Sequence, residues 1–113
     1  METYLYFAEN LGANAAGECA VYPASTFTGI DPISDTTTRI SFKALAGTAA
    51  DDDILVTHVT GKFKEIAEAL ADALSNDNGE LVIFMDEDNA VYSKKLRDLG
   101  CIDSSTALNI TLG

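Results

Sequence analysis

The chain has 113 residues, with 18 acids against 7 bases, one His, no Trp and a formal net charge of -11. That length suits a single domain from Met1 to Gly113, able to bury about two-thirds of its unfolded surface. So acidic a surface excludes an electrostatic grip on DNA, RNA or an anionic membrane, each of which needs a basic face. An apolar share of 47% beside 22% charged residues excludes wholesale disorder.

Met1 to Glu9 carries no basic n-region and its apolar run stops at Glu9, so it does not read as a secretory signal. The first strand is expected at Thr3 to Ala8, rich in aromatic and β-forming residues. Asn10 to Gly17 has almost no large side chain and reads as a loop. Glu18 to Tyr22 is a second strand, closed by Pro23, which has no N–H for a ladder. Phe27 and Ile30 are expected to pack down before Asp31-Pro32, a turn signal.

Thr36 to Leu45 alternates most cleanly: Thr38, Ile40, Phe42 and Ala44 share one face, with Thr37, Arg39, Ser41 and Lys43 on the other. Ala46 to Ala50 is a small-residue loop before the acidic run Asp51-Asp52-Asp53, and Ile54 to Val59 is the next strand. Lys62 to Ser75 predicts an amphipathic helix. Phe63, Ile66, Ala67, Leu70, Ala73 and Leu74 form its apolar stripe, with Thr60 as N-cap and Asn78-Gly79 as a left-handed turn beyond it. Leu81 to Met85 is apolar on both faces, which suits a central strand covered on both sides. Its five residues fall far short of the roughly 18 to 20 that span a bilayer, and no apolar run is longer. Ala90 to Ser93 and Ala107 to Leu112 complete the set. The expected class is α+β, a largely antiparallel β-sheet of about seven short strands with one amphipathic helix packed on it.

Candidate chemistry is sparse. The acids at Asp51 to Asp53 and Asp86 to Asp88 invite a calcium reading, since hard cations take several carboxylate oxygens. The second run lacks the glycine of an EF-hand loop, and its twelfth position is Arg97 rather than Glu. Both read as solvated acids where strands meet loops, and nothing forces a carboxylate pair into an apolar pocket for acid–base work. His58, on the face of Ile54 and Val56, reads as a partly buried strand histidine with a hydrogen-bond partner. Cys19 and Cys101 belong to no CxxC pair and read as largely buried free thiols, with one disulfide as the alternative. A Cys–His nucleophile has no local signature, a lone His makes zinc implausible, and no glycine pattern matches a phosphate loop. No catalytic residue, metal or cofactor is expected. Lys94-Lys95-x-Arg97 gathers three of the seven bases within four residues. It is the candidate partner contact, set against an ordinary charged surface segment.

Three passages carry a resemblance: Tyr22-Pro23-Ala24-Ser25, Gly29-Ile30-Asp31-Pro32, and Asp35-Thr36-Thr37-Thr38-Arg39-Ile40-Ser41-Phe42. With Ile54 to Val59 running into Lys62 to Leu70, and the last strand after Gly100-Cys101-Ile102-Asp103, they resemble small virion structural proteins of marine tailed bacteriophages, of the capsid decoration or cement kind. The usual Asn/Thr-His-Lys before the helix appears here as Thr60-Gly61-Lys62, with His58 upstream. The resemblance implies a non-enzymatic particle component, assembled in the host cytoplasm and carried in the virion. Its implied partners are the major capsid protein or another virion protein, and copies of itself, with a trimer as the expected form. The alternative is a small acidic binding module that masks a basic partner protein in the cell, its affinity falling steeply with salt.

Overall fold

The computed structural model describes residues 2–9, 19–47, 49–75, 79–87 and 89–112. The expected loop at 10–17 lies outside them, as do Thr48, Asn78 and Asp88. The class is α+β. Among the described residues eight strands form two four-stranded sheets rather than one.

The first sheet has the order β2-β1-β6-β7, from β1 (Tyr4–Ala8), β2 (Cys19–Pro23), β6 (Leu81–Asp86) and β7 (Val91–Tyr92). Its β1–β6 pair is parallel and the other two are antiparallel. The second sheet is antiparallel throughout, in the order β3-β4-β5-β8, from β3 (Phe27–Ser34), β4 (Thr37–Phe42), β5 (Asp52–Thr57) and β8 (Ala107–Thr111). Helix α1 (Phe63–Ser75) crosses from the second sheet to the first and packs against β4, β6 and the short helix α2 (Lys94–Asp98). It buries Ile66, Ala69, Leu70 and Ala73. Thr60 lies outside the cap position, because Gly61, at φ 76°, turns the chain and the helix opens only at Phe63.

Two sequence expectations need correction. Asp31-Pro32 is not a turn: β3 runs through both residues and the reversal comes at Asp35-Thr36. Pro32 is tolerated because β3 is an edge strand, and the ladder shifts register just after it. Nor is β6 covered on both sides. It alternates at first, leaving Leu81 and Ile83 outside; then Phe84 is passed over in the pairing with β1, and Phe84 and Met85 both turn inward. Two consecutive residues on one side is what an extra residue in a strand produces.

The sheets meet across an aromatic seam. The Tyr22 ring stacks on Phe42 with centroids 4.4 Å apart, and Phe7 lies against Tyr22, Phe42 and Phe84 at 6.2, 5.7 and 5.6 Å. The Tyr22 hydroxyl donates to Asp52 Oδ2 at 2.8 Å, joining β2 of one sheet to β5 of the other. At another point the Glu9 carboxylate, just beyond β1, accepts from the Ile110 N–H of edge strand β8 at 2.7 Å. Burial, then the bond to Asp52 and its charge, push the Tyr22 hydroxyl well above the usual tyrosine range.

Tyr22→Phe removes a charge-assisted bond from a buried carboxylate and is expected to cost about 1–3 kcal/mol in urea unfolding. The pH sign follows from the raised value. The contribution is complete below the unfolded tyrosine pKa of about 10 and fades as pH rises beyond it. In an alkaline absorbance titration Tyr22→Phe should delete a fraction that ionises last; an unchanged late fraction would refute the shielding.

Candidate functional site

The structure places the sequence-predicted bases on α2. Ser93 caps this helix, its hydroxyl accepting from the Leu96 N–H at 3.3 Å, and the buried Leu96 anchors it. Gly100, at φ 72°, ends it. Lys94 pairs with Asp98 one turn on, and that cation holds the Asp98 carboxyl below the usual carboxylate range. Lys95 and Arg97 lie in the last turn, where cations suit the helix dipole. Arg97, with Ala90, Val91 and Tyr92, lines a surface depression of about 280 Å³.

The remaining candidates are not brought together. His58 is buried directly after β5, more fully than its strand position suggested. Its Nδ1 lies 2.8 Å from the Val59 carbonyl, which can only accept, so Nδ1 carries the proton and Nε2 accepts from the Thr38 hydroxyl at 2.8 Å. Both ring nitrogens are thus engaged, neither by a cysteine. Cys19 is half-buried and Cys101 buried, both as free thiols, and burial pushes the Cys101 thiol up, away from the reactive thiolate.

The acidic runs point several ways. Asp51 is exposed and accepts from the Thr28 hydroxyl, and Asp53 accepts from Ser41. Asp52 is buried, and so is Asp86, whose carboxylate accepts from the Asn89 N–H and side-chain amide. The reading of solvated acids therefore fails at Asp52 and Asp86, which hold the seam and a turn. Glu87 accepts from the Tyr92 hydroxyl; burial, more than the Asp86 charge, raises its carboxyl against that bond. Among the described residues no three His, Cys, Asp or Glu side chains are placed to hold a metal ion. No helix among them is long and apolar enough to cross a membrane.

One surface feature among the described residues is not apparent from the sequence. On the outer face of the first sheet Tyr4 is 41% exposed, Val21 39%, Leu81 54% and Ile83 39%. Tyr6 pairs with Val21 on one side and Ile83 on the other, and Tyr4 with Pro23 and Leu81. These residues form a continuous uncharged patch. The alternation of Tyr4 and Tyr6 with Leu5 and Phe7 was its signal, hidden because both sets are apolar. The outer face of the second sheet is built differently. There Arg39 grips Asp31 through two hydrogen bonds of 3.0 and 2.8 Å, and Ser41 bonds Asp53. Asn109 and Thr111 lie exposed beyond them on β8.

No family model, curated protein or solved structure matches the chain.

Thr38→Val keeps the shape beside His58 but leaves its buried Nε2 without a donor. The expected loss is about 1–3 kcal/mol by thermal or urea unfolding; no loss would mean that the Thr38–His58 bond is not made.

Proposed function

We propose that the chain is a non-enzymatic structural protein of a tailed-bacteriophage virion, best described as a capsid decoration or cement protein. The observation that carries this reading is the uncharged outer face of the first sheet, present on a molecule of net charge -11. A monomer gains nothing from leaving Tyr4, Val21, Leu81 and Ile83 partly in water, whereas a contact surface does. The resemblance of the passages from Tyr22 to Phe42 supports a phage particle as the setting, and those passages build β3, β4 and the seam residue Tyr22.

A cement protein works by area. Each copy laid across a junction between shell subunits removes apolar surface from water at roughly 25 cal/mol per Å². Even a modest gain is repeated over every copy on the shell. The acids elsewhere keep the unassembled chain apart from its copies and soluble until the face is covered. The partner is the major capsid protein or another virion protein, with copies of the chain closing into a homo-oligomer, since closed symmetry leaves no sticky end.

The test combines particle composition with face variants. The chain should be present in stoichiometric amounts in purified virions by mass spectrometry. Leu81→Lys and Ile83→Lys should keep the fold within about 1 kcal/mol yet be lost from particles. Thr57→Lys, on the other sheet, should be incorporated normally. Absence from particles, or incorporation of the face variants at the level of the unchanged chain, overturns the proposal.

A further inference from the structure

The depression beside α2 is a separate place, and its chemistry selects a different occupant from the apolar face. The chain holds only 7 bases against 18 acids, and three of them stand on one short helix. Lys94 is taken by Asp98. Among the described residues neither Lys95 nor Arg97 makes a side-chain hydrogen bond or an ion pair, although both act on Asp98 at a distance. Arg97 lines the depression, and Val91 on the same wall is 42% exposed.

The rim is also held in a conformation that costs energy. Ala90 sits at φ 54°, the left-handed region that side chains other than Gly rarely adopt. The turn before it is pinned, because Asp86 binds both the backbone and the side-chain amide of Asn89. Tyr92 cannot offer its hydroxyl freely, since that group donates to Glu87. No free hydroxyl donor is left there, and the Glu87 charge disfavours a second anion on that side. What remains is one guanidinium beside Ala90, Val91 and Tyr92, with the Val91 side chain exposed.

We propose that this depression binds an acidic peptide segment of a partner protein, one carboxylate meeting Arg97 and an adjacent apolar side chain lying against Val91. Arginine suits the task because its planar fork receives both carboxylate oxygens. Lys94, already neutralised, contributes little. The site does not depend on the particle role, since it shares no residue with the Tyr4, Val21, Leu81 and Ile83 face.

The experiment is an amide NMR titration of the full chain with an acetylated, amidated hexapeptide of alternating Asp and Leu. Saturable shifts are expected at Ala90, Val91, Tyr92 and the α2 amides. Arg97→Gln, an exposed substitution whose fold the same spectrum verifies, should weaken binding by about tenfold or more. Lys94→Gln should change it by less than about twofold. A peptide with Asn in place of Asp should lose as much as Arg97→Gln does. Absence of saturable binding, equal losses for Lys94→Gln and Arg97→Gln, or shifts confined to the Tyr4 and Leu81 face would each overturn the proposal. None of these outcomes bears on whether the chain is found in virions.

Discussion

The bond from the Tyr22 hydroxyl to Asp52 organises the molecule. Tyr22 stacks on Phe42, and Asp52 is the cross-strand neighbour of Phe42, so a single side chain from the first sheet meets a ring and a carboxylate of the second. A buried carboxylate without donors is costly; here it accepts from Tyr22 and from the Leu45 N–H. The polar pair thereby fixes which strands face each other in a seam that aromatic packing alone would specify less sharply. Glu9, holding Ile110 on the edge strand β8, adds a second tie between the sheets.

With the inner faces joined in this way, the outer faces carry the difference on which the proposed function rests. One is polar and internally bonded through Arg39, Asp31, Ser41 and Asp53. The other is apolar and uncharged. The two outer faces therefore differ in polarity, and the proposed role follows from surface rather than from reacting groups. The two regions proposed for contact also differ in kind: a flat sheet face suited to area, and a small cationic depression suited to one carboxylate.

Much of this was legible where a single period ruled a segment. The Thr38, Ile40 and Phe42 alternation and the Ile66, Leu70 and Ala73 spacing both mark buried faces in the fold. Legibility failed where two rules competed. Asp31-Pro32 carries a turn signal, yet an edge position lets a proline stay in the strand. Leu81 to Met85 is uniformly apolar, so its exposed and buried members could not be told apart, and the bulge at Phe84 left no trace in composition. Asp52 looked like one of three solvated acids because its partner, Tyr22, lies thirty residues away. At the candidate site, the clustering of Lys94, Lys95 and Arg97 was visible in the sequence. The pairing that removes Lys94, and the Val91 wall beside Arg97, exist only in the fold.

If the outer face of the first sheet is the contact surface, its residues must lose solvent on assembly while the opposite face keeps it. Hydroxyl-radical footprinting of the free chain and of intact particles measures this directly. Strong protection of Tyr4, Tyr6, Leu81 and Ile83 in particles, with Leu55 on the second sheet labelled equally in both states, is the expected result. Protection centred on Leu55, with Leu81 and Ile83 labelled as in the free chain, would contradict it.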